Sequence, residues 1–154
     1  MRKYIKKIIF GVIIVFIAIQ FFPTSYNQSD TVLDSDFIKT YKAPKQIQSI
    51  LKTSCYDCHS NNTNYPWYSK IQPGSWFMEG HINEGKKELN FSKFGEYSDR
   101  RKKAKFKSLI SQIKDDKMPV FSYTLIHQDA KLSEKEKQLL IDWLTTLRDS
   151  LFNN

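Results

Sequence analysis

The chain has 154 residues, 40% of them hydrophobic, 14% aromatic and 26% charged. That balance excludes a disordered or collagen-like polymer and, with the first 22 residues set aside, leaves enough for one compact domain. Two cysteines exclude a multi-bridged disulfide scaffold, and the net charge of +8 is concentrated at the start, where Arg2, Lys3, Lys6 and Lys7 stand among 22 residues with no acid. The remainder carries 20 basic against 16 acidic side chains, an ordinary surface that argues against nucleic acid as a partner.

Ile8 to Phe22 is apolar except for Gln20, with Lys6-Lys7 before it and Pro23 after it. With Tyr4 and Ile5 added and the lysines reaching to the headgroups, the run attains about 19 residues, the length of a transmembrane helix. No Ala-x-Ala pattern precedes Pro23, so residues 1–22 read as an uncleaved signal anchor rather than a cleaved signal peptide. The positive-inside rule then predicts a single-pass protein of a bacterial inner membrane. It would touch lipid through residues 5–22 and hold its C-terminal domain on the periplasmic, extracytoplasmic side. Residues 23–42 are polar and read as a tether, leaving residues 43–154 as the domain.

Within the domain, Ile47, Ile50 and Leu51 share a helical face, with Pro44 acceptable in a first turn, so a short helix leads into Cys55. Asn61 to Phe77 is rich in aromatics and turn formers and is expected to form packed loops. The basic run Arg100 to Lys107 contains one aromatic, Phe106; it reads as a solvated helix start, with docking to an acidic partner as the other reading. Phe106, Leu109, Ile110 and Ile113 repeat at helical spacing. Ser133-Glu134-Lys135-Glu136 is a capping box, and Leu139, Leu140, Trp143, Leu144, Leu147 and Leu151 form one apolar stripe behind it. With no sustained period-two alternation, the expected class is all-α with long loops, and loops of that length need something to pack around.

The chemistry lies in Cys55-Tyr56-Asp57-Cys58-His59, a C-x-x-C-H pattern. Cysteines at i and i+3 on a helical turn project from one side, so their sulfurs can reach the two vinyl groups on one porphyrin edge, and the next residue carries an imidazole to the iron. The competing readings are weaker. A redox disulfide of the thioredoxin kind needs a βαβ context that this sequence lacks. A zinc site needs two more ligands, and His81 and His127 fall outside finger spacing. A disulfide between residues three apart is strained.

The run Cys55-Tyr56-Asp57-Cys58-His59-Ser60-Asn61-Asn62-Thr63, followed by Tyr65-Pro66-Trp67-Tyr68, Ser75-Trp76, His81 and Leu89-Asn90-Phe91-Ser92, resembles the haem-binding domain family of small membrane-anchored bacterial proteins. Met118-Pro119 and the capped helix through Leu140-Ile141-Asp142-Trp143-Leu144 are similar to the closing part of class I cytochromes c. The resemblance spans about residues 43–147. It implies a cytochrome-c-like fold around a single covalent haem c, attached at Cys55 and Cys58, with His59 as the proximal ligand.

Tyr65, Trp67, Tyr68, Trp76, Phe77, Phe91, Phe94 and Tyr97 are expected to wall the haem crevice, with Trp76 and Tyr68 as candidate donors to its propionates. Candidates for the sixth ligand are Met78, His81, Met118 and His127. Met118 is favoured, because Pro119 holds it in an extended segment able to cross the haem face; His81 is the alternative. With both axial positions filled, only electrons can pass. The expected function is therefore a non-enzymatic electron carrier that exchanges with redox partner proteins. A gas or redox sensor, or a peroxidase-like enzyme, is the alternative if the distal side is open.

Overall fold

The computed structural model describes residues 2–29 and 31–152, and every regular element among them is helical. Eight α-helices follow in order: α1 (Arg2–Ile19), α2 (Phe37–Thr40), α3 (Lys45–Ser54), α4 (Tyr56–His59), α5 (Gly74–Glu88), α6 (Asp99–Lys114), α7 (Phe121–Thr124) and α8 (Glu134–Phe152), with short 3-10 turns at Trp67–Lys70, Phe91–Glu96 and Gln128–Ala130.

The expected helix before the cysteines is α3, with Pro44 at its N-cap and Ile47, Ile50 and Leu51 buried. The basic run opens α6, where the Ser98 hydroxyl accepts a hydrogen bond from the Arg101 amide; this is the solvated helix start. At α8 the capping box closes as read. The Glu136 carboxylate accepts from the Ser133 amide at 2.9 Å and from its hydroxyl at 2.6 Å, while the Glu136 amide donates back to Ser133 Oγ. Ser133→Ala is expected to cost about 1 kcal/mol, seen as a lower denaturant midpoint with an unchanged slope.

The core lies between α6, α8 and the segments around α2 and the 91–96 turn. Phe37, Phe91, Phe94 and Phe106 are fully buried. Their rings meet edge to face, Phe37–Phe94 at 4.8 Å and Phe94–Phe106 at 5.4 Å, an arrangement that adds to the burial of each side chain. Leu140 and Leu144 of α8 and Ile113 of α6 complete it.

Two segments depart from the sequence reading. The 61–77 region, expected to be loop, runs into the fifteen-residue helix α5 directly after Pro73. Residues 23–42, read as a tether, lie along the domain: the Asn27 amide donates to Tyr65 Oη at 2.7 Å, the Asn27 side chain donates to the Ser60 carbonyl at 2.8 Å, and Phe37 sits in the core.

No helix among the described residues is long and apolar enough to cross a membrane. This overturns the membrane-spanning anchor expected over residues 5–22 and the single-pass inner-membrane placement that followed from it. The helix α1 spends its first turns on Lys3, Lys6 and Lys7 and stops at Ile19. Its uninterrupted apolar part, residues 8–19, is roughly 18 Å long at 1.5 Å per residue, against a hydrocarbon core of about 30 Å. The chain cannot extend it. The Gln20 amide turns to the Gln72 backbone, donating to its carbonyl at 3.2 Å and accepting from its amide at 2.9 Å, and the Phe22 carbonyl accepts from the Gln72 side chain.

Candidate functional site

Helix α3 ends at Ser54 and α4 begins at Tyr56, so Cys55 occupies the corner between them, with Cys58 and His59 on the following turn. The two residues between the cysteines fix this turn to the rest of the chain. Tyr56 stacks on Phe91 at 5.1 Å and donates to Asp36, which ties α4 to the aromatic core. Asp57 accepts from the Asn64 amide at 2.9 Å and from the Tyr123 hydroxyl at 2.7 Å, so one carboxylate joins the motif, the loop after it and α7. Burial, followed by the Asp57 charge and bond, holds the Tyr123 phenol protonated by raising its pKa well above the ordinary value.

The His59 ring is held at one nitrogen. Its Nδ1 lies 2.9 Å from the Gly85 carbonyl and 3.1 Å from the Leu89 carbonyl at the end of α5. Both partners can only accept, so Nδ1 carries the proton and Nε2 keeps its lone pair. Burial lowers the pKa of the imidazole; the two carbonyls act in the opposite sense, and the Lys105 ammonium adds to the lowering. A neutral imidazole with a fixed tautomer is the form that binds a metal.

Helix α5 reaches His59 because residue 85 is glycine. A Cβ at that position would stand 2.7 Å from the Cys58 carbonyl oxygen, closer than real side chains come. Below this contact, the Asn90 side chain donates to Asn61 Oδ1 at 2.9 Å and the Ser92 hydroxyl accepts from the Asn61 amide at 3.0 Å, so the Leu89-Asn90-Phe91-Ser92 run is bonded to the loop that follows the motif.

Both cysteines are free thiols, partly buried. Burial, reinforced by the neighbouring Cys58, pushes the Cys55 pKa up to about 12, and burial with the Asp57 charge pushes that of Cys58 up to about 11. Such thiols stay protonated near neutral pH and are poor thiolate nucleophiles, which disfavours a redox-disulfide role.

The motif opens onto a cleft made of three adjoining cavities of about 180, 350 and 180 Å³. The first and second share Cys55, His59, Met118 and Pro119; the second and third share Cys58, His81, Val120 and Tyr123. Met118 reaches the cleft through the way α6 ends. Asp116 takes a left-handed conformation (φ 54°), the Lys117 amide returns to the Gln112 carbonyl at 2.9 Å and the Asp116 amide to that of Ile113 at 3.2 Å, which reverses the chain.

The structure thus gathers Cys55, Cys58, His59, Met118 and His81 about one cleft, with Met78 and His127 on its third cavity. His127 is engaged elsewhere: its Nε2 is hydrogen-bonded to the Tyr68 hydroxyl and its ring stacks on Tyr123 at 4.3 Å. Among the aromatics expected to wall the crevice, Phe91, Tyr68 and Phe77 do so, whereas Phe94 and Tyr97 pack with the Phe37 core. Trp67 is 75% exposed and Trp76 39% exposed, and neither lines these cavities; Trp76 therefore does not face the cleft as a propionate donor. The sequence reading missed Gly85 and the Leu89 carbonyl. A glycine inside a helical stretch signals a close backbone approach, but only the fold shows what approaches.

Among curated proteins nothing matches the chain, and no solved structure matches either, so the likeness of its C-terminal stretch to class I cytochromes c rests on sequence alone. The family model for the haem-binding domain does match, over residues 14–146. With nearly the whole chain covered, and with a neutral, oriented imidazole set beside two thiols on an apolar cleft, the protein belongs to the haem-binding domain family.

Proposed function

We propose that this haem-binding protein is a c-type monohaem electron carrier, with Cys55 and Cys58 holding one haem through thioethers and His59 Nε2 and Met118 Sδ as the iron ligands. The observation that carries this reading is the His59 tautomer: Nδ1 is committed to the Gly85 and Leu89 carbonyls, and Nε2 remains as the donor within the cleft that also holds Cys55 and Met118. The residues fit the group in number and chemistry, with two free thiols, one oriented imidazole, one thioether and walls such as Leu51, Phe91, Leu109 and Ile113. When bound, haem supplies a one-electron iron couple.

This chain's residues do the rest. The carbonyls of α5 fix the imidazole and raise its strength as a ligand, the apolar wall keeps water from the metal, and the Met118 thioether favours the reduced state. With His59 and Met118 both bound, a haem iron here would have no position open to a gas or peroxide, and the site would pass electrons only.

The test is the optical spectrum of the reduced holoprotein before and after carbon monoxide. Sharp six-coordinate bands without rapid binding of the gas are expected; rapid binding in the wild type would replace the carrier with an open-site sensor or peroxidase-like reading. Met118→Ala is expected to remove the weak near-red band of the oxidised form, lower the potential and admit carbon monoxide. His81 lines the same cavity as His59 and Met118, which makes it the competing ligand. If His81→Ala produces these changes and Met118→Ala does not, the pair is His/His.

A further inference from the structure

The cleft is unevenly charged. Its α5 wall presents the carboxylates of Glu84 and Glu88, while across from them, on α6, stands Lys105, the one lysine or arginine lining the three cavities among the described residues. The Lys105 ammonium lies 3.7 Å from Glu88 Oε2, with the lysine side chain 22% exposed and that of the glutamate 71%. Lys105, Ser108 and Gln112 follow one another at i, i+3 and i+7, so they share a face of α6, and all three line the first cavity with Cys55 and His59. Ser108 is exposed and Gln112 partly buried, and neither side chain is hydrogen-bonded to protein among the described residues, so both are free to take a ligand in exchange for water.

Haem carries two ring carboxylates, and a carboxylate leaving water without a cation or hydrogen-bond donors is strongly disfavoured. The α5 wall repels such a group; the α6 row offers an ammonium, a hydroxyl and an amide. Resting on the haem reading above, we propose that Lys105, Ser108 and Gln112 form the carboxylate-receiving subsite of the cleft, Lys105 exchanging Glu88 for a haem propionate. The exchange leaves the ammonium with one carboxylate partner before and after; it adds the propionate's charge beside the released Glu88 carboxylate, which is carried by water. It is favoured because Glu88 is largely in water and its exposed pair is weak, whereas a propionate at the cleft wall gains a partner it would otherwise lack.

The full chain produced without haem is titrated with protohaem and with protohaem dimethyl ester, which has the same ring, iron and vinyls but uncharged carboxyls. The wild type should prefer protohaem. Lys105→Met should cut that preference about tenfold, the scale of one charge-assisted hydrogen bond, Lys105→Arg should keep it, and Glu88→Gln should raise it by removing the competitor. An unchanged preference in Lys105→Met, with circular dichroism and ring binding intact, overturns the proposal. The titration reads ring binding without thioethers, so it is separate from the covalent reading, which fails if haem is lost from the wild-type holoprotein on a denaturing gel.

Discussion

In a host that attaches haem to C-x-x-C-H sequences, the Cys55→Ala/Cys58→Ala double variant is expected to show no haem staining after denaturing electrophoresis, where the wild type stains fully. Denaturation removes every contribution of the cleft, including the His59 bond, and leaves only covalent links. Each cysteine supplies one such link, so either single variant should stain weakly or not at all. His59→Ala changes the iron ligand without removing a sulfur, so its defect should appear first in the native spectrum. Staining of the double variant at wild-type strength would remove the thioether assignment and leave a protein that binds haem through His59 and the cleft alone. The cysteines themselves are poorly suited to a redox-disulfide role. They are free, half-buried and held protonated, with the Cys55 pKa near 12 and the Cys58 pKa near 11, so thiolate attack and disulfide exchange at this pair are slow near neutral pH.

Gly85→Ala is expected to destabilise the domain by about 1–3 kcal/mol despite alanine's better helix propensity, and to weaken haem binding with it. The propensity gain is about 1 kcal/mol, but the added methyl would meet the Cys58 backbone carbonyl at 2.7 Å, and backbone on both sides leaves no flexible side chain to yield. To relieve the clash, α5 must move away from α4, which carries the Gly85 and Leu89 carbonyls away from His59 Nδ1. Gly80, in the same helix, is the control. A methyl there meets nothing within 4 Å, so Gly80→Ala should stabilise by about 0.5–1 kcal/mol. Chemical denaturation of the three proteins reads both signs at once; a stabilising Gly85→Ala would show that the α4–α5 contact does not set the ring.

The parts of this site that were legible in the sequence were those written in one local pattern. The motif at residues 55–59, the apolar spacing of α3, α6 and α8 and the Ser133–Glu136 cap all follow from residues within a few positions of one another. Helix α5 was not legible because its reasons are elsewhere in the chain. It contains Gly74, Gly80 and Gly85 and buries only Ser75 and Ile82, so it presents no apolar stripe; it is placed by a close approach to Cys58. The segment 23–42 looked like a tether for a similar cause, since a polar composition gives no sign that Asn27 has partners at Ser60, Thr63 and Tyr65. The membrane expectation failed because hydropathy sums a run of residues whatever the backbone does within it, and here the helix ends at Ile19 and the Gln20 amide is bonded to Gln72.

The anchorage of residues 20–29 also sets how force travels through the molecule. Between the end of α1 and Ser29 the chain is bonded to Gln72, Ser75, Glu79, Lys86, Tyr65, Ser60, Thr63 and Asn62. Those attachments lie along α5 and the loop behind the cysteines, while the α6–α8 pair forms a separate stack. A pull on α1 is therefore loaded onto α5, whose last turn holds the His59 ring, and onto the loop that follows the cysteines. The imidazole sits where this path meets the core, between the last turn of α5 and the core ring of Phe91, 6.3 Å away.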